Sequence, residues 1–132
     1  MFSALDTSAS ALSAERIRLN VIANNLANVN SRDPATGLPY RRRGVIFTVG
    51  SAAGPQNGVS VKETYEDQTQ FPIRYEPGHP LADKETGMLK VSNVNPIVEM
   101  MDMLEATRAY EANVTAMDAA KSILTTSFRI IM

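Results

Sequence analysis

Cysteine and tryptophan are absent from this 132-residue chain, which contains a single histidine. Without cysteine there is no disulfide and no thiolate chemistry. An excess of one charge is also lacking, because 13 Lys and Arg stand against 14 Asp and Glu. General binding to nucleic acid or to an anionic membrane surface needs a surplus of Lys and Arg. The composition therefore disfavours both kinds of partner.

Long hydrophobic runs are lacking as well. No apolar run exceeds three residues, so the sequence predicts no membrane-spanning helix. The first residues have neither a basic region nor a hydrophobic core, which predicts no cleaved secretory signal. Apolar residues make up 44% of the chain and charged residues 20%. This composition is that of a folded protein, and the length suits one small domain with or without helical arms.

Glycine and proline are missing from both ends of the chain. All seven Gly and all seven Pro lie between Pro34 and Pro96, and these residues are the strongest breakers of regular structure. The sequence therefore predicts an α+β fold with three parts: an N-terminal helix in 1–30, a β-rich middle domain in 31–95 and a C-terminal helix in 96–132. No internal repeat is evident.

The N-terminal segment has apolar residues on two sides of a helix. Leu5, Leu12, Leu19 and Leu26 recur every seven residues and keep one edge apolar. Ala14, Ile17 and Val21 fall on nearly the opposite side. The asparagine-rich stretch 24–30 is predicted to end the helix, since Asn competes for backbone hydrogen bonds.

The C-terminal segment shows the same arrangement. Asn95 followed by Pro96 is a typical helix start. One seam then recurs every seven residues, at Met103, Tyr110, Met117, Leu124 and Ile131. Small and branched apolar residues lie on the far side, where they allow close approach of another helix: Ala112, Ala116, Ala119, Ile123 and Ile130.

Two apolar stripes on each helix favour assembly, because a surface helix of a monomer usually has only one. Each helix pair would then be sandwiched between neighbouring copies, and a head-to-tail contact that does not close gives a filament. A monomeric helix pair with the β-unit folded back over it is the open alternative. The predicted subunit-interface residues are Leu5, Leu12, Leu19, Leu26, Ile17, Val21, Met103, Tyr110, Met117, Leu124, Ile131 and Ile123.

The middle region is predicted to form three or four short strands. These β-branched and aromatic runs are bounded by Gly, Pro or Asn, and they cover Val45–Val49, Val59–Thr64, Phe71–Tyr75 and Met88–Val91. Asn57-Gly58 is a plausible tight turn.

Candidates for chemistry are few. His79, fixed between prolines, is interpreted as a turn residue, because a lone His without Cys cannot build the usual zinc site. Glu66-Asp67 and the pair Asp83 and Glu85 are interpreted as solvated loop charges, since acid–base work needs environments that separate two pKa values. The basic cluster 41–43 is interpreted as an exposed strand edge or an intersubunit salt-bridge site. We predict no enzyme, cofactor or metal site.

Two stretches resemble the proximal-rod proteins of the bacterial flagellar basal body. Residues 11–30, with Asn25-Leu26-Ala27-Asn28 at their centre, are similar to the signature shared by rod, hook and hook-associated proteins. The stretch from Tyr75 to Asp83, continued by Asn93-Val94-Asn95 and residues 99–113, is similar to the short C-type rod subunit. The chain departs from that pattern at Met88-Leu89 and at Ser92.

The resemblance implies a structural, non-enzymatic subunit of the proximal rod, which transmits torque as part of a helical tube. It implies export by the flagellar type III apparatus without a cleaved signal, and a final position in the periplasmic part of the basal body. The implied partners are other copies, other rod subunits, the adaptor between the rod and the MS ring, and the export apparatus. A monomeric helical export adaptor or binding module is the alternative function, and a small hydrolase using the carboxylates near His79 is a more distant one.

Overall fold

The computed structural model describes residues 2–51 and 54–132. Two long helices flank two small antiparallel sheets, so the predicted α+β class is confirmed. The elements in chain order are α1 (Phe2–Ala27), β1 (Arg43–Ser51), β2 (Gly54–Glu66), β3 (Ile73–Tyr75), β4 (Met88–Lys90) and α2 (Pro96–Ile131).

Asparagine ends the first helix and starts the second. The backbone N–H and the side-chain amide of Asn28 both donate to the carbonyl of Asn24, at 3.0 and 2.8 Å, which satisfies an orphan acceptor of the last turn. At the start of α2, the side-chain oxygen of Asn95 accepts from the N–H of Ile97 at 3.1 Å. Pro96 occupies the first helical position, where its missing N–H costs nothing.

The two helices pack antiparallel. Asn25 near the end of α1 meets Glu99 in the first turn of α2, and Arg18 lies beside Glu105 one to two turns further on. The helices have 26 and 36 residues, which is about 39 and 54 Å of length. Counted from the Arg18–Glu105 contact, about ten residues (about 15 Å) of α2 extend beyond the start of α1.

The hairpin of β1 and β2 packs on α1. Its register pairs Arg43 with Glu66 and Val49 with Val59. The N–H of Val59 donates to the hydroxyl of Ser10 at 3.0 Å. Gly58 has a φ of +100°, and a Cβ at that position would lie 2.5 Å from the Ser10 hydroxyl. Both facts require glycine at position 58.

The predicted turn at Asn57-Gly58 is wrong, since the backbone of β2 runs through this pair. The strand pairing is instead irregular here: Val49 pairs with Val59, while Ser51 pairs with Gly54. Asn-Gly indicates a residue that tolerates positive φ, and such a residue also fits an irregular stretch of a strand. Residues 52 and 53 lie outside the described residues.

The second sheet is shorter than predicted. β3 begins at Ile73, and the bond from the N–H of Val91 to the carbonyl of Pro72 closes its end at 2.9 Å. Phe71, predicted to lie in this strand, instead packs under the guanidinium of Arg41, 4.2 Å from the ring centre. Pro72 separates Phe71 from β3, because proline has no N–H to donate to the hydrogen bonds between strands.

Two loops share one construction, contrary to the expectation that the chain has no internal repeat. Residues 33–38 and 83–88 both read Asp-x-x-Thr-Gly followed by a large apolar residue. In each, the Asp carbonyl accepts from the Gly N–H at 2.7 Å, and the Asp N–H donates to the carbonyl of the last residue at 2.9 Å. Gly37 and Gly87 have φ of +72° and +70°. The shared pattern spans only six residues, whereas repeat architectures have periods of about 20–50 residues.

The interior is small and partly polar. Its buried apolar residues are Ala14, Ile22, Leu89, Val94 and Ala106. The largest fully buried side chains are Glu99 and Asn25, each with 0% exposure. Buried carboxylates and amides are uncommon unless they are paired, so these two mark the most constrained part of the molecule.

Candidate assembly surface and polar junction

Asn25 uses every hydrogen-bonding atom of its side chain. Its oxygen accepts from the Tyr40 hydroxyl and from the N–H of Arg43, both at 3.0 Å. Its amide donates to the Arg43 carbonyl at 2.8 Å and to Glu99 Oε2 at 3.3 Å. An amide side chain has two acceptor sites and two donors. The end of α1 is therefore joined both to the segment before β1 and to the start of α2.

Arg42 completes this polar junction, which we define as Asn25, Arg42 and Glu99. Its Nε donates to Glu99 Oε1 at 2.5 Å. Its two terminal nitrogens lie 3.8 Å from carboxylate oxygens of Asp67 and Asp102. The Glu99 side chain is 1% exposed and that of Arg42 is 24% exposed. A buried carboxylate of this kind requires a hydrogen-bonded cation.

The pKa values of Arg42 and of its neighbour Tyr40 are both raised, for different reasons. Burial lowers the pKa of Arg42. The hydrogen bond and the charge of Glu99, with a smaller contribution from Tyr65, raise this pKa by more than burial lowers it, so the net pKa is above its ordinary value. The pKa of Tyr40 is raised mainly by burial and less by Glu99 and Glu66, against the lowering effect of Arg43. Arg42 stays cationic and Tyr40 stays a neutral donor at neutral pH.

The turn before α2 is tied to the same region. Asn93 accepts from the N–H of Arg42 at 2.6 Å and donates to the Asp67 carbonyl at 3.0 Å. The hydroxyl of Ser92 donates to the Tyr40 carbonyl at 2.6 Å. The middle region is thus held to the helix pair at the two points where the chain enters and leaves it.

The interpretation of 41–43 as an intersubunit salt-bridge site or an exposed edge is wrong for Arg41 and Arg42. Arg42 is bound inside the chain, and Arg41 donates to the carbonyls of Asp67 and Thr69 at 2.7 and 3.0 Å. Arg43 is exposed, and its guanidinium nitrogen Nη2 lies 3.8 Å from Glu66 Oε1. A run of like charges does not reveal which acceptors the fold will bring to it.

The leucine stripe of α1 lies at the margin of the packed face. Leu5, Leu12, Leu19 and Leu26 are all half-buried, as is Val21. The buried positions are Ala14, which belongs to the second predicted stripe, and Ile22 and Asn25, which lie between the two stripes. The cause is that α1 packs against α2 on one side and against the hairpin on the other. Each stripe of α1 therefore finds partial cover within the chain, and Ile17 is 39% exposed.

The seam of α2 faces α1 along most of its length. Met103, Tyr110, Met117 and Leu124 are half-buried, and Ala106 is fully buried. Ile131 lies in the part of α2 that extends past α1, and it is 80% exposed. Their role as subunit contacts stays a prediction.

The opposite side of α2 is an exposed apolar surface, which we call the outer stripe: Val98, Met101, Ala112, Ala116, Ala119, Ile123 and Ile130. Met101 is 63% exposed, Ile123 54% and Ile130 80%. These residues recur at helical spacing and form one side of the helix, which the exposed Glu105 interrupts between Met101 and Ala112. From Ala112 to Ile123 the exposed apolar surface is contiguous, and such a surface marks a site of interaction.

The residues considered for catalysis hold loops or, in the case of Glu66, the end of β2. His79 Nδ1 accepts from the N–H of Leu81 at 3.0 Å. Asp83 accepts from the N–H of Glu85 at 2.9 Å, and both are exposed. Glu66 is engaged by Arg43. Within 2–51 and 54–132, no group of three His, Cys, Asp or Glu side chains is arranged to hold a metal ion, and neither helix is long and apolar enough to cross a membrane.

Sequence reasoning missed the polar junction. Its signal was present, because Glu99 lies seven residues before Ala106 on the packed face of α2. A charge on an apolar face indicates a buried partner. The partner could not be named, since Asn25 and Arg42 are 74 and 57 residues away in sequence.

Two family models match the ends of the chain. Residues 5–31 match the family described as "Flagella basal body rod protein". Residues 85–130 match the family described as "Flagellar basal body rod FlgEFG protein C-terminal". The first match contains Asn25 and the second contains Glu99, so both helices that meet at the junction lie in matched segments.

Similar proteins extend the match to the whole chain. The chain is 42% identical over 120 residues to the flagellar basal-body rod protein FlgC of Escherichia coli O157:H7, covering 90% of this chain and 89% of that protein. It belongs to the FlgC family. FlgC of Bacillus subtilis is 37% identical over 146 residues, covering 98% of this chain and 97% of the relative. FlgC of Aquifex aeolicus is 40% identical over 130 residues, with 97% and 95% covered.

Membership of the FlgC family confirms the resemblance found in the sequence. The family is one of structural basal-body rod proteins, and it is consistent with a chain whose titratable side chains are used to hold loops and helices. The FlgC relatives have about the same length as this chain.

Proposed function

We propose that the chain is a structural, non-enzymatic subunit of the proximal flagellar rod, and that it assembles through its two terminal helices into a helical tube. The outer stripe of α2 is the observation that carries the proposal. From Ala112 onward it is apolar and exposed, whereas the opposite face of α2 packs on α1. Burial of apolar area is favourable by about 25 cal/mol per Å², so this surface is stabilised by contact with neighbouring subunits.

In this proposal the contacting residues are the predicted interface set together with the outer stripe. The neighbours are other copies, other rod subunits and the adaptor that joins the rod to the MS ring. Apolar contacts on both sides of a helix pair resist sliding and rotation, which suits a shaft that transmits torque. The β-rich middle region, held to the helix pair by the polar junction, lies outside the tube.

Delivery and assembly are linked in the same proposal. The chain is exported by the flagellar type III apparatus without a cleaved signal, and it reaches the periplasmic rod. A cysteine-free chain with a small interior unfolds readily, as passage through a narrow channel requires. The last turns of α2 have no counterpart on α1, and short unsupported helical segments are marginal in water. We expect them to become stable on docking.

The test is one charge placed on the outer stripe. Ile123→Asp puts a carboxylate on exposed apolar surface without touching the packed face. We expect the variant to be synthesised and exported at normal levels but to be absent from isolated basal bodies. Ser122→Asp is the matched control, because Ser122 is exposed at the same depth of α2 but points to another side.

Normal incorporation of the Ile123→Asp variant would contradict the proposed surface. Leu19→Asp and Leu26→Asp are weaker tests, because both leucines are half-buried within the chain and a charge there also disturbs folding. The alternative, a monomeric export adaptor or binding module, predicts a chain that stays monomeric at high concentration and binds one partner 1:1. Sedimentation of the purified chain over a range of concentrations separates the two.

A further inference from the structure

We propose that the polar junction of Asn25, Arg42 and Glu99 sets the register between α1 and α2. The apolar contacts alone define it poorly, because the seam of α2 that packs on α1 repeats every seven residues. If α2 slides by seven residues, about 10 Å along its axis, Tyr110 takes the place of Met103 and Met117 takes the place of Tyr110. The slid pair still buries an apolar seam.

The junction distinguishes the two registers. Glu99 and Ala106 are seven residues apart on the same face, so a slide brings a methyl group to the place of the carboxylate. Arg42 Nε then loses its acceptor at 2.5 Å, and the Asn25 amide loses Glu99 Oε2. Donors that stay buried without an acceptor are costly, and a buried charge without its partner is more so.

The other ion pair between the helices cannot have this role. Arg18 and Glu105 are 3.7 Å apart, and the Glu105 side chain is 74% exposed. Water replaces an exposed partner with little loss. Of the polar contacts between α1 and α2 in the described residues, the one through Glu99 is the buried one.

Buried polar groups are known to specify register in paired helices while adding little stability. The same division is expected here: apolar packing supplies most of the stability, and the polar junction selects one arrangement. The inference concerns a single chain and does not rest on the proposed function. The polar junction also fixes the middle region relative to the helix pair, because Arg42 directly precedes β1 and its backbone N–H donates to the side chain of Asn93.

The test measures the distance between the helices along their axis. Because the chain has no cysteine, Asn20→Cys and Lys121→Cys introduce two unique sites for spin labels. Both positions are exposed and lie where the two helices overlap, and the antiparallel pairing separates them by about 27 Å along the axis. Labelled chains are diluted into unlabelled chains so that pulsed electron paramagnetic resonance reports distances within one molecule. We expect one narrow distance.

The decisive variant replaces both charged members by apolar residues of similar reach, Arg42→Leu with Glu99→Leu. This change removes the register signal without leaving a buried charge, so the pair should stay helical. We expect a second distance shifted by about 10 Å. The control is Arg18→Gln with Glu105→Gln, which removes the exposed pair between the same helices and should leave a single distance.

A single unchanged distance in the Arg42→Leu, Glu99→Leu variant would overturn the proposal, whatever happens to its melting temperature. If that variant is not helical by circular dichroism, Glu99→Gln carries the test. The Glu99 carboxylate accepts from Arg42 Nε and from the Asn25 amide. A glutamine in its place has one oxygen acceptor and one NH₂ donor group, so one of these two hydrogen bonds is lost with almost no change in shape. A second distance in this variant supports register selection, and a single distance in a less stable variant shows a purely structural role.

Discussion

The two ends of the helix pair have opposite chemistry. At the end where α1 meets the start of α2, the largest fully buried side chains are polar, Asn25 and Glu99. At the other end, the last residues of α2 are apolar and exposed: Ile123, Phe128, Ile130 and Ile131 range from 54% to 80% exposure.

This is the reverse of the usual arrangement in a globular protein, where apolar side chains fill the interior. The comparison teaches that the chain divides two tasks. Polar contacts, which are directional and intolerant of misfit, define the fold of one molecule. Apolar surface, which is not directional, is left exposed at the other end, where neighbouring subunits cover it in the proposed assembly. The following predictions test that division, beginning with the largest expected effect.

Removing one member of the buried ion pair should cost the most. Arg42→Leu leaves the Glu99 carboxylate buried without its cation, and we expect the free energy of unfolding to fall by about 3–5 kcal/mol. Urea denaturation of the dilute monomer measures it. The Arg42→Leu, Glu99→Leu double variant should recover most of the loss, and failure to recover would mean that the junction contributes stability in its own right.

The same residue type at the two ends should give different results. Ile22 is 5% exposed and Ile130 is 80% exposed. Truncation of Ile22 to alanine removes buried methyl groups and opens a cavity, which costs about 2–4 kcal/mol. Ile130→Ala should change the free energy of unfolding of the monomer by less than about 0.5 kcal/mol. Equal costs would show that the far end is packed within the single chain.

Asn25→Ala tests the amide that joins three segments. It leaves the Tyr40 hydroxyl and the backbone N–H and carbonyl of Arg43 without this partner. We expect a loss of about 2 kcal/mol, typical of unsatisfied buried groups. Asn20→Ala, on the exposed side of the same helix, is the control and should stay within about 0.5 kcal/mol of the native chain.

The smallest effect concerns pH. The hydroxyl and the N–H of Thr69, and then Arg42 and Arg41, lower the pKa of Asp67 below its ordinary value of 3.8. Because the folded pKa is the lower one, Asp67 stabilises the fold above that ordinary value, and the contribution is lost as pH falls through the folded pKa. Between about pH 5 and 3, the free energy of unfolding of the Asp67→Asn variant should fall less with decreasing pH than that of the native chain. An unchanged slope would contradict this.

Much of the architecture was predictable from local signals. Both helices end or begin at asparagine, as expected from its hydrogen bonding, and the absence of Gly and Pro outside 34–96 separated the helical ends from the β-rich middle. All four strands lie where they were predicted, but their first and last residues differ from the predicted ones. The seam of α2 packs on α1 from Met103 to Leu124, and its role in subunit contacts stays a prediction. The buried face of α1 was not predicted, because the hairpin packs against α1 as well.

The sequence by itself determined the helices, the β-rich middle and the flagellar rod family, because helix caps, breakers, periodicity and motifs are all local in the chain. Only the tertiary structure decided which side chains are buried together. It brought Asn25, Arg42 and Glu99 into contact and turned a basic run into internal hydrogen bonds. The physical reason is that a buried polar group is defined by its partner, and here the partners are 57 and 74 residues away.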